Sequence, residues 1–315
     1  YRIQRHEDPE KCARLWQELM PRDCLFDLWP VRECFAGPFD RRPCFITAED
    51  AGGRIQGLLA LSWIEKERSF GHFPGETWQG KTWLEQNRII ARRQGVVDQL
   101  VENVPGEAYL RYLIGESPLP EGLCAEPDET GYLFFPAECR YAFDRFMQRF
   151  SGKTRKKLRH ELSPLESTGV SYRYNDLSDV DALFRMNLEG FGDRSYFYDP
   201  RFLKSFENLV EWLHNHGLLR VTTVTIGGRT AAVDIGAVWA DTYTVLAGGV
   251  DPEFPGVAKL INFHHIRRAC ETRVKTVDFL CGDFGWKQRF HLTPRTLYKI
   301  RIPARTEKIS RVSLN

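Results

Sequence analysis

The sequence has no stretch of about 18 consecutive apolar residues, the length a membrane helix needs. Its most apolar part, residues 231–249, is interrupted by Asp234 and Asp241. Membrane insertion is therefore not expected. Net charge is nearly absent too: 44 basic against 42 acidic side chains leave +2, so no global field steers the chain towards DNA or an anionic membrane. Any anion site must be local. The eight cysteines form no C-x-x-C pair, and no histidines stand at zinc-finger spacing, which speaks against a metal site and for reduced, mostly buried thiols. Cys281 lies beside a glycine but lacks an evident base in sequence that would make it a nucleophile. The first ten residues have no apolar core of the signal-peptide kind, so a cytoplasmic location is expected.

A substantial core is nevertheless available. Hydrophobic residues make up 42% of the chain, charged residues 27% and aromatics 13%, a composition far from that of a disordered chain. The 315 residues leave room for two ordinary domains.

The second half carries the clearer pattern. Ser178 and Asp181 stand at capping-box spacing ahead of Val180, Leu183, Phe184 and Leu188, which predicts an amphipathic helix. Asp199 as N-cap, Pro200 in the first turn, an apolar face of Phe202, Phe206, Leu209 and Leu213, and Gly217 as terminator predict a second. Residues 219–226, 229–239 and 242–248, joined by Gly227-Gly228 and Ala240-Asp241, read as a three-stranded antiparallel meander. A helix over 258–271 and a short strand over 276–280 complete the order. The first half repeats part of it, with a helix over 10–19, a hairpin 45–49/54–63 around Gly52-Gly53, a helix near 96–101 and a strand at 108–113. This order predicts a diverged duplication. Between the halves, Cys139, Phe143, Phe146, Met147 and Phe150 have helical spacing.

Three segments could carry chemistry. The loop Glu253-Phe254-Pro255-Gly256-Val257-Ala258 joins a strand to a helix, and the unpaired N–H groups and positive dipole end of a helix start suit a phosphate. The same loop could equally be an ordinary turn. The run Lys153, Arg155, Lys156, Lys157 and Arg159 could face a polyanion or form a solvated helical face; no aromatics are interleaved with it for base stacking. In Phe279-Leu280-Cys281-Gly282-Asp283-Phe284-Gly285-Trp286-Lys287, the lysine could stabilise an oxyanion and Asp283 could accept a proton or orient an amine.

The segments 150–159, 249–256 and 278–287 fall in the order seen in one family. Over these residues the chain resembles the GNAT-superfamily acyltransferases named after cellulose-biosynthesis proteins (CelD/BcsL-like), and it is similar to the tandem-GNAT FemABX transferases. The resemblance implies an α/β fold of two tandem GNAT-like acyltransferase domains, each a mixed, mostly antiparallel sheet flanked by helices. The expected division is a diverged N-terminal half over 1–136, connecting helices with the basic segment over 137–168, a C-terminal half with the donor site over 169–303, and a polar tail over 304–315. It further implies N- or O-acyl transfer from an acyl-CoA co-substrate, acetyl-CoA first, without a metal. Donor binding falls to Gly256, Val257, Ala258 and Lys259, catalysis to Lys287 and Asp283, and acceptor binding to Lys153, Arg155, Lys156, Lys157 and Arg159. The acceptor would be a small molecule or glycan: a sugar, a polysaccharide precursor or a cell-envelope component. Glu253 stands where the family motif has Gln or Arg, which keeps open an aminoacyl-tRNA donor in the FemABX manner and a catalytically silent GNAT-like binding module. A partial copy of the motif, Arg92-Arg93-Gln94-Gly95-Val96-Val97, lies in the first half.

Overall fold

A computed structural model of the protein describes residues 1–75, 83–115, 118–282 and 285–304. Along the chain, β1 (Arg2–His6), α1 (Pro9–Leu19) and α2 (Trp29–Ala36) precede β2 (Pro43–Glu49), β3 (Ile55–Ile64), β4 (Ser69–His72) and β5 (Ile90–Ala91). Next come α3 (Gln94–Glu102), β6 (Ala108–Ile114), β7 (Glu126–Phe134), α4 (Phe143–Met147), α5 (Gly152–Ser167), β8 (Val170–Tyr174), α6 (Val180–Phe191) and α7 (Pro200–Asn215). The meander β9 (Leu219–Ile226), β10 (Arg229–Trp239) and β11 (Thr242–Val250) leads to α8 (Val257–Thr272), β12 (Thr276–Asp278), α9 (Trp286–Arg289) and β13 (Thr293–Ile302). Among the described residues no helix is long and apolar enough to cross a membrane.

These elements form two compact units, and neither is continuous in sequence. The first comprises Tyr1–Met20, Asp40–Asp128 and the chain from Thr296; the second comprises Pro21–Phe39 and Glu129–Arg295. The contiguous ranges 1–136 and 169–303 therefore do not coincide with the units. Packing gives the reason. The Phe35 ring of α2 meets Phe202 and Phe206 of α7 edge-on at 5.6 and 6.0 Å, and the Arg22 carbonyl accepts from Trp239 Nε1 at 2.9 Å. Conversely, Ile300 and Ile302 of β13 are buried in the first unit's core with Leu110 and Leu113, and the buried Leu297 pairs with Ile114.

In the first unit the strand order is β1-β2-β3-β4-β6-β13, with β5 on β3. Among the described strands of this unit β4 and β6 run parallel, and an isolated bridge joins Asn87 to Leu113 in parallel. Asp8 caps α1 by accepting from the Lys11 N–H at 2.8 Å, with Pro9 in the first turn, where its missing N–H costs nothing.

In the second unit the order is β7-β12-β11-β10-β9-β8, and again one pair, β11 with β12, is parallel. Helices α5 and α8 cover one face through Leu158, Leu162, Leu165, Leu260 and Ile261, together with an aromatic group of Phe143, Phe146, Phe150, Phe263 and Phe290. Helix α6 lies on the other face, with Leu183 and Met186 so close to Gly249 that no side chain fits there. Both units are thus mixed, mostly antiparallel sheets flanked by helices.

Two local expectations need correction. Residues 138–150 are not one helix: a 3-10 turn over Pro136–Cys139 ends at Arg140 and Tyr141, both at positive φ, 54° and 56°, before α4 begins. Their apolar spacing reflects burial, not continuity. Ser178 is not the cap of α6 either; Asp176 accepts from Ser178 N–H and caps a 3-10 turn over Leu177–Asp179 that runs into the helix. The two Gly-Gly hairpins also differ. Gly227 and Gly228, at φ 56° and 82°, make a two-residue turn. In the first unit Asp50 organises a longer loop by accepting from Gly52 and Arg54 N–H groups at 2.9 and 3.0 Å.

Candidate functional site

The site in the second unit follows from how β11 ends. Strand β12 pairs with β11 only over Thr242–Thr244, opposite Thr276–Asp278. Beyond Thr244, β11 is paired among the described strands only with β10. A register shift at Ile235/Gly236 falls in the same stretch and leaves Leu246 without an opposite residue, the kind of bulge that bends a strand away from its neighbour. β12 ends at Asp278, so the backbone N–H and C=O groups on that edge of β11 beyond Thr244 have no strand partner among the described residues. At the far end of β11 the chain turns through residues 251–256 into α8.

Gly256 is the N-cap of α8, at φ 97°, and supplies no side-chain cap. A Cβ there would meet Glu161, Leu162 and Leu165 of α5 no closer than 3.7 Å. The left-handed backbone by itself favours glycine here. Of the three N–H groups assigned to the donor, that of Val257 already donates to the Phe254 carbonyl at 3.1 Å. Those of Gly256 and Ala258 donate to no described residue. Lys259 is turned towards α5, where it ion-pairs with Glu161; that hydrogen bond holds the Glu161 carboxyl below its ordinary range.

Glu253 is not a free anion at the mouth of this helix. Arg229, the first residue of β10, lies 2.5 Å from Glu253 Oε2 and 3.2 Å from Asp251 Oδ2, and its guanidinium sits 5.1 Å from the centre of the Phe254 ring. Asp251 also accepts from the Glu253 N–H at 2.9 Å. A cation thus reaches the loop from the neighbouring hairpin. A cavity of about 350 Å³ adjoins it, lined by Arg185, Met186, Glu189, Arg229, Thr230 and Asp251.

Lys287 is buried, and its ammonium donates to the carbonyls of Phe279, Leu280 and Cys281 at 2.8, 2.9 and 2.8 Å. These three bonds tie α9 to the turn after β12. An oxyanion would have to displace one of them. Asp283 lies outside the described residues. The basic run forms the first turns of α5: Lys153, Lys156 and Arg159 are exposed, Arg155 donates to the Phe150 carbonyl at 3.1 Å, and Lys157 pairs with Glu161 at 3.8 Å. The chain therefore brings α5 to the start of α8, but through Glu161 and the leucines rather than through the free cations. Arg92 and Arg93, in the partial motif of the first unit, are exposed just before α3, while Gln94 donates to the Leu119 carbonyl at 2.5 Å.

Sequence reasoning missed a polar group inside the α8-facing layer. Asp234 of β10, Tyr243 of β11 and His265 of α8 are all buried. His265 Nε2 lies 2.8 Å from Asp234 Oδ2, and its Nδ1 is 3.5 Å from the Tyr243 hydroxyl. Burial pushes the Tyr243 hydroxyl well above its ordinary pKa. The signal was an acidic residue in an otherwise apolar strand. On the neighbouring surface, Tyr172 stacks on His264 at 3.7 Å, and burial lowers His264 to about 4.

With this geometry in hand, known proteins can be compared. Residues 152–288 match the family model of the acetyltransferase (GNAT) domain. No curated protein matches the sequence. Among solved structures, a conserved protein of unknown function from Bacteroides thetaiotaomicron VPI-5482 superposes with a TM-score of 0.60 at 13% identity, over 96% of this chain and 100% of that one. FemX gives 0.61 at 11% identity, over 95% and 97%. A tandem GNAT protein from the clavulanic acid biosynthesis pathway gives 0.51 at 10% identity, over 97% and 100%. At these identities the likeness is one of fold, and the fold is that of GNAT proteins, tandem ones included. Among the described residues no group of three or more His, Cys, Asp or Glu side chains is placed to hold a metal ion.

Proposed function

We propose that the protein is an acyltransferase of the CelD/BcsL-like kind, taking an acyl group from acetyl-CoA or a related acyl-CoA and passing it to an amine or hydroxyl of a sugar, polysaccharide precursor or cell-envelope component. The observation that carries the reading is the edge of β11: its pairing with β12 stops after three residues, and the strand leads to a helix whose Gly256 and Ala258 N–H groups have no described partner. A thioester can lie along the unpaired edge of β11 with its pyrophosphate at the start of α8, where backbone donors and the helix dipole favour anions. Arg229 compensates the two loop carboxylates that would otherwise repel it. Lys287 serves by holding the turn after β12 in place; direct contact with a developing oxyanion would require one of its three carbonyls to be released.

Titration calorimetry with acetyl-CoA tests this. Saturable binding that is lost in Gly256→Val, with the fold retained by circular dichroism, supports the reading; no binding by the wild-type protein removes it. The exposed Lys153, Lys156 and Arg159 favour a second reading, an aminoacyl-tRNA donor bound through phosphates. It predicts tRNA binding that weakens steeply with salt.

A further inference from the structure

The Asp234–His265–Tyr243 group is expensive to keep as packing. Burying a carboxylate, an imidazole and a phenol between a sheet and a helix is often matched or bettered by apolar side chains of similar size. This fold also gives up side chains at two positions to house them. A Cβ at Gly248 would lie 2.2 Å from Asp234 Oδ1, and one at Gly236 would lie 2.4 Å from Tyr243 Cε2.

The direction of the carboxylate is informative. Gly248 is directly opposite Asp234 in the β10–β11 register, and its would-be Cβ lies against Asp234 Oδ1, so Asp234 leans over β11, away from β9. It arrives two residues beyond the bulged Leu246, on the stretch that no longer pairs with β12. One oxygen, Oδ2, is held by His265; the other, Oδ1, accepts from no described residue, and the side chain keeps 8% of its surface exposed. A carboxylate fixed through one oxygen, with the other unpaired beside the stretch of β11 that β12 does not cover, has the arrangement of a proton acceptor held by a histidine.

We infer that Asp234 is the proton acceptor of the acyl transfer and that His265, backed by Tyr243, is its positioning residue; this rests on the acyltransferase reading given above. The acceptor nitrogen or oxygen bonds to the thioester carbonyl carbon, and its N–H or O–H proton passes to Asp234 Oδ1. The C–S bond then breaks with its electron pair on sulfur. Asp234 hands the proton to the leaving thiolate, which restores the carboxylate and leaves an amide or ester and a free thiol.

The test follows thiol release from acetyl-CoA with hydroxylamine as acceptor, beside calorimetric acetyl-CoA affinity and thermal unfolding. Asp234→Asn is nearly isosteric and can still accept from His265. It should keep donor affinity and the unfolding temperature while turnover falls on the order of 100-fold or more. Asp234→Ala should regain part of its rate when formate is added, a rescue that a packing role would not give, and His265→Gln should lower turnover less than Asp234→Asn. Turnover within about threefold of wild type in Asp234→Asn, with acetyl-CoA still bound, overturns the inference alone, as does an Asp234→Ala variant that binds acetyl-CoA yet ignores formate. A wild-type protein that fails to bind acetyl-CoA overturns the acyltransferase reading and this inference with it.

Discussion

In the first unit β4 has four residues and meets β6 in parallel at one register position, Phe70 opposite Ala108. In the second, β11 has nine residues and pairs with β12 over only three of them, so six continue without that neighbour. The element order is alike in outline: β1 and α1, the strands β2, β3, β4 and the short β5, then α3 and β6 parallel to β4 in the first unit; β8, α6 and α7, the strands β9, β10 and β11, then α8 and β12 parallel to β11 in the second. The helix starts differ as well. Gly256 holds a left-handed backbone before α8, whereas Gly95 lies inside α3 at an ordinary φ, with nothing within 4 Å of a would-be Cβ. One topology has thus been built twice, and the long bulged strand and open helix start belong to the second copy.

Substitutions can break or sharpen this contrast. Lys287→Met in the second unit would leave three carbonyls without their shared cation and should cost roughly 4 kcal/mol or more, read from urea unfolding, together with loss of turnover. In the first unit Arg111 holds Asp128 through both carboxylate oxygens, at 2.6 and 3.0 Å, and Asp128 also accepts from the Tyr112 N–H. Arg111→Met should cost about 3–5 kcal/mol yet leave acetyl-CoA affinity unchanged per folded molecule. Equal loss of affinity in both variants would erase the distinction between the units.

A smaller effect is expected at the glycines. Gly256→Ala must place a Cβ residue at φ 97° and should cost about 1–2 kcal/mol, whereas Gly95→Ala should be neutral or stabilising by up to about 1 kcal/mol. Thermal unfolding of the pair distinguishes them.

Acid should weaken the second unit through His264, which burial first, and then the charges of His265, Arg268 and Arg267, lower to about 4. A histidine lowered in the fold is favoured neutral, so its contribution is complete above the ordinary 6.5 and is lost as pH falls from there towards 4. His264→Gln should flatten that part of the stability profile. The smallest change is expected from Lys156→Gln with Lys157→Gln: under ~1 kcal/mol in stability, with any loss of polyanion binding fading as salt is raised.

Much of this was legible in the sequence because local chemistry determined it. Asp199-Pro200 before an apolar stripe, and Gly227-Gly228 between β-branched runs, mark α7 and the β9–β10 hairpin within a residue. The GNAT-like order of the second half was legible for the same reason. What escaped depends on contacts distant in sequence. Nothing near residues 21–39 announces that Phe35 packs on α7, and nothing near 296–302 announces that β13 completes the first unit. At the site, Gly256 could be picked out, but not that its glycine serves the backbone, nor that Arg229 answers Glu253 across 24 positions. Lys287 could be picked out as a cation near the last strand, while its three carbonyl partners are visible only in three dimensions.

The interleaving of the units bears on how the protein is made. A ribosome delivers residues 21–39 before any other part of the second unit exists, and β13, which carries Ile300 and Ile302 into the first unit's core, follows nearly all of the second unit. The first unit therefore cannot complete its sheet until β13 is made, and α2 must wait more than 160 residues for α7. A nascent chain with an unpaired strand edge and an uncovered aromatic helix is a substrate for chaperones, so yield in the cell should depend on how fast the last strand arrives.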